Sequence, residues 1–148
     1  MNQSVFDPAA FMQTAVTGAL DTKIPQWPVG EYLARITKVE VNLWESQAKG
    51  TSGLRADIWL ETDDPRVVQA GARNLIYGIM LDLTETGQLD MGKGKNTRLG
   101  KLREAVDQND PTQPWSFPML EGRVLRVQVE HDMYKGEAKH QVQAIAHV

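Results

Sequence analysis

The sequence predicts a mainly β domain, a five-stranded sheet with one helix between the third and fourth strands and a short helical arm in front. Three observations support this fold class. Apolar and polar residues alternate in three runs between residues 30 and 84, apolar residues recur at helical spacing over 97–106, and two alternating runs flank Lys135-Gly136. Alternation is typical of half-buried strands, and a spacing of three and four residues is typical of an amphipathic helix. We therefore expect an N-terminal arm and linker at 1–29 and a sheet domain at 30–148.

The arm is predicted to begin with a short helix. Asp7-Pro8 joins a residue that caps helix N-termini to a proline that suits the first helical position. Apolar residues then recur at helical spacing as far as a predicted stop at Gly18: Phe11, Met12, Ala15 and Val16. A proline-stiffened connector over 24–28 leads from this arm to the sheet.

The first strand is predicted to begin at Gly30 and to contain a β-bulge. Its apolar residues alternate as far as Ile36 and then change phase, so that the inward set continues with Val39, Val41 and Leu43. One extra residue in a strand produces this slip and bends the strand. A polar loop over 45–53 leads to the second strand, whose inward set is Leu54, Ala56, Ile58 and Leu60.

The remaining predicted elements are a third strand, a helix and two final strands. The third strand is predicted over 72–84, a loop rich in glycine and lysine over 85–96, and then a helix that Asn96 or Thr97 caps. The helix has an apolar stripe of Leu99, Leu102, Ala105 and Val106, and the last two strands meet at the Lys135-Gly136 turn. This order describes the five-stranded Greek-key barrel called the OB-fold, and an open α+β sheet is the alternative. The bulged first strand favours the barrel, because that strand must curve to serve both sides of a closed sheet.

Composition excludes several classes of function. The chain has 148 residues, of which 41% are hydrophobic and 24% charged, and it has no cysteine. Disulfides, thiol catalysis and Cys-type zinc sites are therefore excluded. No apolar run approaches the roughly 20 residues that span a bilayer, so we expect a cytoplasmic protein without a membrane partner. The net charge of −3 provides no overall attraction to nucleic acid, so any such binding depends on where the charges lie.

Two tryptophans are predicted on the solvent face of the first two strands. When the apolar set points inward, the outward residues are Arg35, Lys38, Glu40, Asn42 and Trp44, followed by Arg55, Asp57, Trp59 and Glu61. Exposed aromatic side chains on a sheet require an explanation. Stacking of unpaired bases, with nearby Lys and Arg contacting phosphates, is one explanation. The alternative is that the N-terminal arm folds back and covers the tryptophans.

Further candidate binding residues lie in the loops, the third strand and the helix. Lys49 lies in the first loop. Tyr77 shares the phase of the core residues of the third strand, but a bulge at Gly78 would turn Tyr77 and Arg73 outward, and both orientations stay open. The segment 92–103 contains no acidic residue and is strongly basic: Lys93, Lys95, Arg98, Lys101 and Arg103. This segment, beside a helix N-terminus, suits phosphate, and a solvated helix face is the alternative reading.

No catalytic, metal or cofactor site is predicted. The stretch Gly87-x-x-x-x-Gly92-Lys93 resembles a phosphate-binding loop, but Gly94 stands where magnesium requires a hydroxyl. His131 and His140 are predicted to lie opposite each other across the last hairpin without a third ligand, which favours a cross-strand pair. We therefore expect a protein that is not an enzyme, with a small nuclease or phosphoryl-transfer enzyme as a distant alternative.

The chain resembles the phage-encoded single-stranded-DNA-binding proteins of OB-fold type. The resemblance covers roughly 30–148 and rests on layout: Gly30-Glu31-Tyr32-x-Ala34-x-Ile36, the Lys49–Gly53 loop, Leu54-x-Ala56-x-Ile58-x-Leu60, Asn74–Tyr77, Leu99-x-x-Leu102 and Leu120–Arg123. It implies non-catalytic, sequence-tolerant coating of single-stranded DNA by aromatic and basic residues on the barrel face. It also implies replication or recombination proteins as partners and a location in the host-cell cytoplasm. The alternative from another class is a protein-interaction or assembly module that uses the exposed aromatics.

Overall fold

The computed structural model describes residues 5–148, so the first four residues of the predicted arm lie outside the described residues. In chain order the elements are α1 Pro8–Met12, β1 Gly30–Ser46, β2 Thr51–Glu61, α2 Pro65–Ala70, β3 Leu75–Met80, α3 Thr97–Ala105, a 3-10 helix at Phe117–Leu120, β4 Val124–Tyr134 and β5 Glu137–Ala146. The predicted mainly β class, with a helix between the third and fourth strands, is confirmed.

The strands form one antiparallel five-stranded sheet in the order β3-β2-β1-β4-β5. The sheet is not closed, because no ladder joins β3 to β5 within residues 5–148. The sheet is nevertheless curled, since Cα atoms of these two edge strands come within 8 Å of each other. The mainly β architecture therefore stands, while hydrogen-bonded closure is absent from the described chain.

The predicted bulge in β1 is confirmed at Thr37. The pairs Ile36–Leu60 and Lys38–Trp59 leave Thr37 without a cross-strand partner. Residues 30–35 of β1 pair with β4, whereas residues 35–46 pair with β2, so one bent strand joins the two halves of the sheet. Beyond the bulge, Val41 and Leu43 are 41% and 67% exposed. Their predicted core position is wrong, because this part of the β1–β2 hairpin extends past the buried residues.

Two helices differ from the prediction in opposite ways. In α1, Asp7 caps the N-terminus as predicted, but the helix ends at Met12 and buries none of its residues. A helix this short without a packing partner is not expected to extend. In contrast, α2 was not predicted, although Asp64 caps it and Pro65 occupies its first turn. The Asp-Pro pair that predicts α1 therefore also signals α2.

The third strand is shorter than predicted, and the helix after it is as predicted. β3 ends at Met80, and beyond it Leu83 forms only an isolated bridge with Leu89. The apolar stripe of α3 is buried as expected: Leu99, Leu102, Ala105 and Val106. Lys135 and Gly136 both have positive φ, at 51° and 80°, as a two-residue turn between antiparallel strands requires.

Trp27 connects the two edges of the curled sheet. It has no exposed surface and belongs to the core, although it lies in the segment assigned to the linker. Its indole Nε1 donates to the carbonyl oxygen of Arg73, just before β3, at 2.6 Å. Its backbone N–H donates to Nδ1 of His140 on β5 at 2.8 Å, and its carbonyl lies 2.6 Å from Nε2 of His131. The predicted cross-strand pairing of the two histidines is confirmed, and both bind Trp27.

This contact makes stability depend on pH in a defined direction. Burial, and then the positive charges that His131 and Lys139 can carry, lower the pKa of His140 to about 4, from an ordinary value near 6.5. Between these two values the unfolded chain binds a proton that the folded chain excludes, so the free energy of unfolding falls as pH falls from about 6.5 to about 4. Urea midpoints at pH 7 and pH 4.5 test this for the unmodified protein and His140→Gln. We expect the urea midpoint of the unmodified protein to fall further between pH 7 and pH 4.5 than that of His140→Gln. An equal fall in both proteins would contradict the role given to His140.

Candidate nucleic-acid interface

The outward face of the β1–β2 hairpin carries the predicted aromatic and basic residues of both strands. The register pairs Lys38 with Trp59, Glu40 with Asp57, Asn42 with Arg55 and Trp44 with Gly53. We call this surface the indole face and define it as Arg35, Lys38, Glu40, Asn42, Trp44, Arg55, Asp57, Trp59 and Glu61. The residues between them on β2, Ala56, Ile58 and Leu60, are buried in the core, as the alternation predicts.

Trp44 lies opposite Gly53 on β2, and a side chain at position 53 would collide with the indole ring. A Cβ atom built on Gly53 would lie 2.9 Å from both Cζ2 and Nε1 of the indole. The ring therefore rests directly against the backbone of β2, and its Nε1 is buried without an acceptor among the described residues. The remainder of the side chain is partly exposed. Gly53 is thus the sequence signal that fixes the position of Trp44.

Trp59 is also half-buried, but one face of its ring is occupied. The ammonium group of Lys38, its cross-strand neighbour, lies 5.2 Å from the centroid of the indole. Lys38 also forms an ion pair of 2.5 Å with Glu40, two residues along the same strand. The Nε1 atom of Trp59 is buried and has no acceptor among residues 5–148. A ligand that stacks on this face of the ring must therefore displace Lys38.

A polar network separates the two tryptophans along the hairpin. Asp57, only 7% exposed, accepts a hydrogen bond from Asn42 Nδ2 at 2.9 Å and pairs with Arg55 Nε at 2.9 Å. The Arg55 side chain extends over Gly78 of β3, where a Cβ would lie 3.4 Å from its Cδ. Gly78 is therefore explained by this close packing, and the register of β2 with β3 contains no bulge there.

The cations of the indole face are all paired. Arg35 pairs with Glu61, Lys38 with Glu40 and Arg55 with Asp57. The six charged groups cancel, so this face is not the basic surface that its Lys and Arg residues alone indicate. A phosphate that binds here must compete with a carboxylate for each cation.

Tyr77 lies on the inner side of the sheet. It pairs with Ile58 and packs against the core, so the outward orientation that a bulge at Gly78 would produce is wrong. Burial raises the pKa of its hydroxyl, and the Arg98 guanidinium, 5.8 Å from its ring, opposes that shift. Arg73 is exposed in the loop before β3, where its carbonyl binds Trp27. Neither residue joins the indole face.

The basic segment of residues 92–103 is held in place by Asn96. This residue caps α3 in the left-handed conformation, with φ of 53°, and its side chain makes no capping bond. Instead, Asn96 Nδ2 donates to the carbonyl oxygens of Asp82 and Asp90, and its Oδ1 accepts from Asp82 N–H at 2.8 Å. Four cations of the segment are exposed: Lys93, Lys95, Arg98 and Lys101. The loop that carries Lys93 and Lys95 is therefore tied by the Asn96 side chain to the backbone of Asp82 and Asp90, where α3 begins.

Arg98 of the basic segment lies on the opposite side of β3 from the indole face. Ile76 of β3 pairs with Trp59 and shares its face, whereas the next residue, Tyr77, points inward and meets Arg98 of α3. Because β3 pairs only with β2 in the described sheet, its other edge is not covered by a strand.

Sequence reasoning missed one exposed aromatic beside a cation. Tyr134, 59% exposed, lies at the end of β4, and the Lys135 ammonium is 5.4 Å from its ring centroid. Lys49 lies in the turn at 47–50 between β1 and β2 and is also exposed. The signal for Tyr134 was present, since an aromatic residue directly precedes the predicted Lys135-Gly136 turn.

In the described part of the arm, the large apolar side chains between residues 11 and 24 do not cover the indole face. They are at least 75% exposed, so they do not pack on the tryptophans. Within residues 5–148, no helix is long and apolar enough to cross a membrane. A comparison of the chain with protein-family models finds no match, and a search of curated proteins finds no significant match.

Proposed function

We propose that this chain is an OB-type protein that binds single-stranded DNA without catalysis and without strong sequence preference, during phage DNA replication or recombination. The observation that carries the proposal is the pair of partly exposed indoles on one sheet face, Trp44 and Trp59, with cations alongside them. Every base has a π-face, so stacking on such rings tolerates any sequence.

The strand order supports the OB assignment. A curled antiparallel sheet with β1 at its centre, a helix between β3 and β4, and edge strands β3 and β5 close together is the layout of a partly open five-stranded barrel. OB-folds bind oligonucleotides on the face of the second and third strands and with the loops that join β1 to β2 and β4 to β5. In this chain those loops carry Lys49 and Lys135.

Electrostatics divide the proposed site into two parts. The indole face is neutral through its ion pairs, so stacking provides its main attraction. The exposed lysines of the basic segment provide the phosphate contacts, and in the same segment Arg98 lies beside Tyr77 of β3. Binding therefore combines aromatic stacking with a separate electrostatic surface.

The test is a fluorescence titration with oligo(dT) of about 16 nucleotides, the upper range for one OB-fold. We expect quenching of tryptophan fluorescence, tighter binding of the single strand than of a duplex of equal length, and weaker binding at higher salt. Equal affinity for duplex and single strand would contradict the proposal, as would the absence of any binding.

The basic segment allows a sharper prediction. Changing Lys93, Lys95 and Lys101 together to alanine should weaken oligo(dT) binding and flatten its salt dependence, because each lost phosphate contact lowers the log–log slope by up to about 0.7. Affinities at several salt concentrations measure the slope. The control changes Lys23 and Lys139, which line a groove where the arm meets β5, and should leave the slope unchanged. A weaker affinity with an unchanged slope would show that the segment acts through structure.

One observation favours a second candidate function, a protein-interaction module. Beside the indole face, whose charges are paired, Ile76 and Met80 of β3 are 46% and 50% exposed, and they add an apolar surface. A partner protein on this surface would bind with little salt dependence, whereas phosphate neutralisation is steeply salt-dependent. The salt series above therefore separates the two functions.

A further inference from the structure

The two tryptophans of the indole face differ in access. Trp44 rests on the backbone of Gly53, and among the described residues no cation lies over its ring. Trp59 carries the Lys38 ammonium over its ring. A base can therefore reach the outer surface of Trp44 directly, but it reaches Trp59 only after Lys38 has moved.

Lys38 is held over the ring by Glu40. The two side chains share one face of β1, their charged atoms are 2.5 Å apart, and they are 55% and 36% exposed. The hydrogen bond from the Lys38 ammonium lowers the pKa of the Glu40 carboxyl, and Asn42 makes a smaller contribution in the same direction. Exposed ion pairs are weak and exchange readily with other ions.

We propose that Lys38 and Glu40 form a latch on Trp59. In the free protein, Lys38 covers the indole and pairs with Glu40. When single-stranded DNA binds, a phosphate replaces Glu40 as the partner of Lys38, and a base takes the vacated place on the ring. This inference rests on the proposed function, and it makes Trp44 the open stacking platform and Trp59 the latched one.

The latch predicts that Glu40 opposes binding. Opening it separates an ion pair and leaves a carboxylate near a phosphate, so Glu40→Gln should tighten binding of oligo(dT). The expected gain is about 1.4- to fivefold, which corresponds to the range measured for exposed ion pairs. Lys38→Met should remove one phosphate contact and lower the salt slope by about 0.7.

A double-mutant cycle tests whether the effect passes through Lys38. The variants are Glu40→Gln, Lys38→Met and the double variant, and fluorescence anisotropy of labelled oligo(dT) measures their affinities. The latch requires that Glu40→Gln tightens binding in the unmodified protein and has no such effect in the Lys38→Met background. The matched control is Glu45→Gln, which removes the same charge from β1 at a position that alternates with the residues of the indole face. Circular dichroism verifies the fold of each variant.

Three outcomes would overturn the latch. The first is an equal gain in affinity for Glu45→Gln and Glu40→Gln. The second is a gain in affinity for Glu40→Gln that is undiminished in the Lys38→Met background. Either result shows a general charge effect. The third is no gain for Glu40→Gln in any background. All three leave the proposed function standing, because the unmodified protein still binds. If the unmodified protein does not bind oligo(dT), the proposed function and the latch fail together.

Discussion

Replacing Trp27 with alanine should destabilise the protein by about 3–5 kcal/mol, the usual loss when a buried tryptophan is truncated. Trp27 has no exposed surface and packs edge-on against Tyr32, with ring centroids 5.3 Å apart. It also bridges Arg73, before β3, and His140 on β5, which no strand ladder joins. Alanine therefore leaves a cavity and removes the indole hydrogen bond to Arg73, while the backbone hydrogen bond to His140 is kept.

Urea unfolding followed by circular dichroism measures this loss. The matched control is Phe11→Ala, which removes an aromatic ring from the same arm, where it is 78% exposed. A surface change of this kind should alter the free energy of unfolding by at most about 0.5 kcal/mol. If Trp27→Ala lost less than about 1 kcal/mol, the arm would not be part of the core, because core truncations cost more than this.

Replacing Trp44 or Trp59 with alanine should weaken oligo(dT) binding by roughly 1–3 kcal/mol, a factor of about 5 to 150 for each ring that stacks a base. Both indoles are half-buried on the outward face, and neither belongs to the core cluster. The loss of stability should therefore be smaller than that of Trp27→Ala. Because Lys38 covers Trp59, displacing the lysine offsets part of the free energy that a base gains by stacking on this ring. The larger loss of affinity is therefore expected for Trp44→Ala.

Two measurements on each variant separate binding from folding. Anisotropy with labelled oligo(dT) gives the affinity, and the melting temperature reports the fold. Phe11→Ala serves again as the control, since it removes an exposed aromatic ring that lies outside the indole face. A large fall in melting temperature for Trp59→Ala would show a structural ring. Unchanged melting together with unchanged affinity would show an exposed tryptophan that DNA does not use.

Much of the candidate site followed from the sequence because strand geometry is local. The period of two put Trp59 opposite to Ile58 and Leu60, and the phase slip after Ile36 located the bulge that turns Lys38 onto the same face as Trp59. The pairing of the cations did not follow. Glu40, Asp57 and Glu61 were on the predicted face, but only the register and the side-chain positions decided that each would neutralise a cation.

The orientation of Tyr77 also depended partly on the local sequence and partly on the register of the sheet. Its phase with Leu75 and Ile79 was readable, but Gly78 left a bulge open as an alternative. The ladder of β2 with β3 settled the question, because Gly78 accommodates the side chain of Arg55 from the neighbouring strand. A glycine that serves a neighbouring strand cannot be distinguished, within its own strand, from a glycine that forms a bulge.

The sequence by itself determined elements whose cause lies within a few residues: the alternating strands, the bulge, the Asp7-Pro8 helix start, the α3 stripe and the Lys135-Gly136 turn. The tertiary structure alone decided how these elements meet. Trp27 contacts Arg73 and His140 at separations of 46 and 113 residues, and no local period encodes such a contact. For the same reason the curl of the sheet without a β3–β5 ladder became visible only once all the strands were in place, since closure depends on the summed bend of the strands between the two edges.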